Sequence, residues 1–212
     1  MKIEIWSDFA CPYCYIGEKK LEKALEELTL ESKVEIAYRS FQLDVNARSH
    51  PDEDINELIA HKYNISIEQA KKANDGIVNT AKDIGLEYDF VNLKPSNTGL
   101  AHQLVKFAKT KDLEIEVAKK LFAAYFTKGI ELGNKDNLVD LATEVGLNKE
   151  DVLKVLDKQI YKDEVFKDQD IARELGVSSV PFFVIDNKYA ISGAQSVDHF
   201  KGALLQATNN ES

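Results

Sequence analysis

Ser7-Asp8-Phe9-Ala10-Cys11-Pro12-Tyr13-Cys14-Tyr15-Ile16-Gly17 joins two segments of different periodicity and holds both cysteines of the chain. Ahead of it, Lys2-Ile3-Glu4-Ile5-Trp6 alternates at period two, which predicts a strand with Ile3 and Ile5 on one face. Behind it, Leu21, Leu25 and Leu28 recur at i, i+4 and i+7, the buried stripe of a helix. That helix is expected to begin at about Cys11, because Pro12 suits a first turn, where a missing N–H costs nothing. Cys14 lies one turn further in and seven residues before Leu21, in register with the stripe.

Such a placement gives the two thiols different work. Exchange between a dithiol and a disulfide proceeds through the thiolate, and a helix N-terminus, with its free N–H groups and positive dipole end, lowers a thiol pKa. Cys11 is therefore expected to be exposed and to attack first, with Cys14 shielded and resolving the mixed disulfide. Asp8 and Glu18 are nearby acids that oppose the depression. A bridge across so short a loop would stabilise the fold by only about 2 kcal/mol, a poor reason to place both cysteines there.

The rest of the chain reads in three parts. Val34-Glu35-Ile36-Ala37-Tyr38 alternates again as a second strand. Helical segments then follow at 52–62, 66–84, 97–110, 114–128, 135–145, 149–157 and 160–175, with no strong strand among them and no fixed-period repeat. Phe182-Phe183-Val184-Ile185 and Tyr189-Ala190-Ile191-Ser192 form a hairpin about Asp186-Asn187, and Gly193-Ala194-Gln195 leads into a last helix over 197–207, with 209–212 frayed. The order is β–α–β, a long helical insert, then β–β–α. This is an α/β chain with a thioredoxin-like layer from 1–45 and 177–212, and a helical subdomain, 46–176, inserted between strands 2 and 3.

The bulk numbers narrow the function classes. A chain of 212 residues with 44% hydrophobic and 30% charged residues buries a core without metals or structural disulfides. A net charge of -9 with no dense basic cluster argues against nucleic-acid binding. Lys71-Lys72 and Lys119-Lys120 read as solvated helix faces. No apolar run reaches a membrane span, and the alternating start is unlike a secretory signal, so a soluble cytoplasmic protein is expected. Histidines 50, 61, 102 and 199 show no zinc-site spacing with the cysteine pair, so no metal is expected. Trp6 and the aromatic residues of 122–126 read as core.

Four further blocks sit beside the opening one. They are Asn97-Thr98-Gly99-Leu100-Ala101-His102, Leu121-Phe122-Ala123-Ala124-Tyr125-Phe126, Gly176-Val177-Ser178-Ser179-Val180-Pro181-Phe182-Phe183-Val184, and Ile191-Ser192-Gly193-Ala194-Gln195. In this order, across nearly the whole chain, they resemble the DsbA-like family that includes FrnE. The resemblance implies a thioredoxin fold with a helical insertion and Cys11 and Cys14 as the redox pair. It also implies a cis Val180-Pro181 bond facing the dithiol and holding substrate backbone, with Pro12 and Tyr13 beside it. His102, Asn97 and Gln195 are weaker candidates for the substrate side: a helical His is more often packed, Asn97 fits an N-cap equally well, and Gln195 fits a turn. Two departures stand out. The dipeptide is Pro-Tyr, as in glutaredoxins, where these relatives carry Pro-Trp or Pro-His. Arg39-Ser40-Phe41-Gln42-Leu43-Asp44 has Ser and Asp where they tend to have proline.

The expected activity is thiol–disulfide exchange as a reductase or isomerase on protein or small-molecule disulfides and thiols. No tightly bound cofactor is expected, glutathione is a candidate redox partner, and monomer and homodimer remain open. The alternative is a glutathione-dependent enzyme of the kappa-class transferase or 2-hydroxychromene-2-carboxylate isomerase type, which needs no enzyme dithiol. A third reading, a chaperone that holds unfolded chains, finds no large apolar patch in the sequence to support it.

Overall fold

The computed structural model describes residues 1–49 and 52–209. The chain divides into two compact units, Met1–Leu43 with Asp163–Ser212, and Asp44–Lys162. Among the described residues the first unit holds β1 (Lys2–Ser7), α1 (Pro12–Glu27), β2 (Glu35–Ser40), β3 (Phe182–Ile185), β4 (Tyr189–Ser192) and α9 (Val197–Asn209). It also takes α8 (Lys162–Glu174), of which all but the first residue falls in this unit.

The four strands form one sheet in the order β2-β1-β3-β4, with β1 parallel to β2 and the other pairs antiparallel. Strand alternation then sorts the side chains. Ile3, Ile5, Phe183 and Ile185 face one way and pack with Leu21, Ala24 and Leu25 of α1 and with Phe200 and Leu204 of α9. Phe183 and Phe200 meet edge to face, ring centroids 4.9 Å apart. Trp6, Phe182 and Val184 belong to a separate cluster with Ala172 and Ile171 of α8. The β3–β4 turn is made by Asp186 and Asn187, both at positive φ (49° and 54°), as a tight hairpin requires.

Helix α8, expected within the 46–176 insert, falls with the sheet unit, where Ile171 and Ala172 pack with Trp6. Its buried Asp168 accepts from Arg39 Nη1 at 3.0 Å and from the Ser40 N–H at 2.8 Å, while the Trp6 indole N–H donates to the Asp168 carbonyl at 3.1 Å. Arg39 also pairs with Glu4. Burial raises the Glu4 carboxyl pKa, but the hydrogen bond and charge of Arg39 outweigh it and hold the group below its usual value.

The second unit holds α2 (Ile55–Tyr63), α3 (Ile67–Lys82), α4 (Gly99–Lys109), α5 (Glu114–Lys128), α6 (Lys135–Glu144) and α7 (Lys149–Lys158), with no strand among its described residues. Phe122, Tyr125 and Phe126 are buried, and Phe126 stacks on Tyr88 at 4.8 Å. Asp54, Ser66, Asn134 and Asn148 cap α2, α3, α6 and α7 with their side chains, which is why these helices start where polar residues precede apolar runs. Gly129 ends α5 at φ 60°, where a Cβ would overlap the Asn92 carbonyl. Lys71, Lys72 and Lys119 are exposed. His50 and most of the tail expected to fray lie outside the described residues; Asn209, by contrast, ends α9. No described helix is long and apolar enough to cross a membrane.

Candidate active site

Helix α1 begins where the sequence places it. Cys11 is the N-cap, with extended φ and ψ of -93° and 113°, and Pro12 opens the helix. The turn leading in is closed by the Cys11 N–H, which donates to the Asp8 carbonyl at 3.0 Å. Both cysteines are unbridged. Cys11 is 5% exposed and Cys14 1%, so both thiols are buried, Cys11 against expectation. The cover comes in part from the loop before β3: Cys11 Sγ lies 3.6 Å from the Val180 carbonyl, to which it donates. Tyr13, between the cysteines, is 47% exposed and presents its ring outward.

The two thiols are electrostatically unequal. A hydrogen bond from Cys14 favours the Cys11 thiolate, burial opposes it, the Cys14 and Tyr13 amides favour it and the Asp8 charge opposes it. The net effect lowers Cys11 below an ordinary thiol. Burial pushes Cys14 well up, and the bond and charge of Cys11 add to this, against hydrogen bonds from Ser7 and the Asp8 N–H. Asp8 thus bears on Cys11 as expected. Glu18 accepts from the Tyr38 hydroxyl and, after burial, helps to raise Tyr15.

The Val180-Pro181 peptide is cis. Pro181 sits against α1 at Gly17, a contact the sequence reading passed over. A Cβ on Gly17 would stand 2.9 Å from Pro181 Cγ and 3.1 Å from Phe183 Cζ. The available signal is a glycine in the second turn of an amphipathic helix, which costs about 1 kcal/mol against alanine unless packing needs it. Gly17→Ala is therefore expected to destabilise by about 1–3 kcal/mol despite the better helix former, and to slow disulfide turnover by displacing Pro181. Thermal denaturation and a turnover assay on the same samples check this; a variant more stable than wild type and equally active would refute it.

The other candidates are placed as follows. Gln195 Nε2 donates to the Ser192 carbonyl at 2.7 Å and closes the turn after β4. In the helical unit, Asn97 Oδ1 accepts from the Gly99 N–H at 2.9 Å, although the N-cap position of α4 itself falls to Thr98. Asn97 Nδ2 donates to the Ala47 carbonyl at 2.8 Å, and its backbone N–H donates to Ser49 Oγ at 3.2 Å. The side chain is committed to holding the 45–49 loop. His102 is buried (3%) in the first turns of α4. Among the described residues no group of three or more His, Cys, Asp or Glu is placed to hold a metal ion.

The site thus brings together a helix-tip dithiol, an outer thiol held low, an inner thiol held high and a cis-proline loop against the outer sulfur. The chain belongs to the DSBA-like thioredoxin domain family, whose model matches residues 2–205. It is 28% identical over 204 residues to the protein YwbO of Bacillus subtilis (strain 168), covering 95% of this chain and 94% of YwbO. It superposes on the probable DsbA oxidoreductase SCO1869 of Streptomyces coelicolor with a TM-score of 0.91 and 35% identity, over 99% of this chain and 90% of that one. The cytosolic disulfide reductase DsbM of Pseudomonas aeruginosa, solved with GSH, shares the fold at a TM-score of 0.69 and 13% identity, over 99% of this chain and 100% of DsbM.

Proposed function

We propose that this thiol–disulfide oxidoreductase works as a disulfide reductase or isomerase, with Cys11 attacking and Cys14 resolving. The observation that carries the reading is the geometry of the pair: Cys11 caps α1 with its sulfur against the Val180 carbonyl, and Cys14 lies buried one turn behind it. The Cys11 thiolate attacks one sulfur of a substrate disulfide; that S–S bond breaks, one substrate thiolate leaves, and a Cys11–substrate mixed disulfide forms. Cys14 then passes its proton to the departed substrate thiolate and attacks the Cys11 sulfur, releasing the second substrate thiolate and leaving a Cys11–Cys14 disulfide. Leaving Cys14 protonated until that moment keeps the pair from competing for one proton. The Val180 carbonyl, freed of the Cys11 thiol, and the Pro181 edge line an extended substrate backbone, with Pro12 and Tyr13 on the helix side.

Glutathione suits the regenerating role, two molecules being oxidised to its disulfide as the pair is reduced. The Pro-Tyr dipeptide and the GSH bound to DsbM on the same fold support it. A cytoplasmic site of action fits a chain whose two cysteines are both in the reactive pair, leaving none for a structural bridge.

The test is Cys14→Ser. Without the resolving thiol, the variant is expected to accumulate a stoichiometric Cys11 mixed disulfide with a substrate disulfide or oxidised glutathione, visible by intact-mass analysis. Full turnover with glutathione and no adduct would favour glutathione-dependent transfer without an enzyme dithiol.

A further inference from the structure

Asp8 touches both cysteines and the loop that follows β2. Its N–H donates to Cys14 Sγ at 3.5 Å, and its carbonyl accepts from the Cys11 N–H at 3.0 Å. The side chain is as firmly held: Oδ1 accepts from the Ala10 N–H at 3.2 Å and Oδ2 from the Leu43 N–H at 2.7 Å. The residue is 2% exposed. Two backbone donors fix the carboxyl inside the turn that carries Cys11.

We propose that Asp8 sets the redox poise of the pair, holding Cys11 and Cys14 on the side of a reductant by keeping a negative charge fixed in the turn that carries Cys11. This rests on the reading of Cys11 and Cys14 as the exchanging pair. The charge acts on one redox state only. In the dithiol form Cys11 carries thiolate character, which a neighbouring anion destabilises; in the disulfide form the sulfur is neutral and the anion costs nothing. The equilibrium in question is protein disulfide plus two glutathione thiols giving protein dithiol plus glutathione disulfide. The Cys11–Cys14 bond breaks, the glutathione S–S bond forms, and two electrons pass to the protein. Destabilising the dithiol pulls this balance towards the protein disulfide, so the reduced protein gives up its electrons more readily. The groups facing Cys11 are Cys14 and the Cys14 and Tyr13 amides from α1, the Val180 carbonyl from the loop before β3, and the Asp8 carboxylate from the turn after β1. Asp8 is a positioning residue: it works through Cys11.

The experiment compares wild type with Asp8→Asn and Asp8→Ser, which remove the charge, and Asp8→Glu, which keeps it. Each is equilibrated with glutathione buffers, and its Cys11 alkylation rate is followed against pH. Both neutral variants are expected to move the equilibrium roughly tenfold towards the dithiol, ~30 mV for a two-electron couple. Their alkylation midpoints fall to lower pH, while Asp8→Glu stays with wild type. Neutral variants with the wild-type constant and midpoint would overturn the proposal. So would all three variants shifting alike, or a faster alkylation at every pH with no change of midpoint, since these are the marks of a loosened turn. Should the neutral variants not fold, the wild-type constant decides: a poise near that of thioredoxin supports the proposal and one near that of DsbA overturns it. If wild type exchanges no disulfide, the pair itself is misread; if it exchanges normally and only the variants fail to shift, the role of Asp8 alone falls.

Discussion

Cys11→Ser is expected to lower the rate of disulfide reduction by about a thousandfold or more while leaving the protein folded. The replaced atom is the nucleophile, and a hydroxyl at this place has no thiolate chemistry at neutral pH. The structure gives the variant little reason to unfold. Cys11 stands at the N-cap, where serine is among the preferred residues, and a hydroxyl can keep the hydrogen bonds that its thiol makes with Cys14 and the Val180 carbonyl. Reduction of an aromatic disulfide, followed by the absorbance of the released thiol, reads the loss; circular dichroism and the melting temperature read the fold. Turnover within a few-fold of wild type would remove Cys11 from the attacking role. The contrast with Cys14→Ser sharpens the result, because only a chain that retains Cys11 can form the trapped adduct.

Asp168→Ala is expected to destabilise the sheet unit by about 2–4 kcal/mol. The buried carboxylate satisfies the Ser40 N–H and one arm of Arg39. Removing it leaves a buried backbone donor without its acceptor and leaves Arg39 with Glu4 and the Trp6 ring. Arg39 is 29% exposed along its side chain, so water repays part of the loss, and the effect stays below that of a fully buried pair. Trp6, the one tryptophan of the chain, donates to the Asp168 backbone carbonyl, so its fluorescence in a urea titration reports on this unit specifically. A midpoint unchanged from wild type would show that α8 docks on the sheet through its apolar contacts alone. Activity in the absence of urea should persist, since none of these groups touches Cys11.

Much of the fold was legible because its elements carry their own periodicity. Ile3 and Ile5 alternate with Glu4 and Trp6 whether or not anything packs on them, and Leu21 and Leu25 return at the helical interval. Four of the six described helices of 44–162, α2, α3, α6 and α7, announce themselves by capping residues ahead of apolar stripes. The reactive pair was legible for the same local reason: a strand end, a proline in the first turn and two thiols one turn apart lie within eleven residues. Distant partners were not. Nothing in the stretch around Asp168 states that its carboxylate closes on Ser40, 128 residues away in sequence, so its position along the chain points to the helical insert. Asn97 and Gln195 look like contact residues in a motif, yet their amides are spent on the 45–49 loop and on Ser192.

What the sequence by itself determined is the set of elements, their order and the place of the thiols at the head of α1, because strand alternation, helix stripes and end signals act between residues close along the chain. What only the tertiary structure decided is which surfaces meet. The loop before β3 covers the Cys11 sulfur and buries it; Gly17 is bare because the Pro181 ring needs its space. Asp8 is locked by a donor 35 residues away. Each of these depends on a distance set by packing between segments far apart in the chain, and periodicity along the chain carries no record of such a distance.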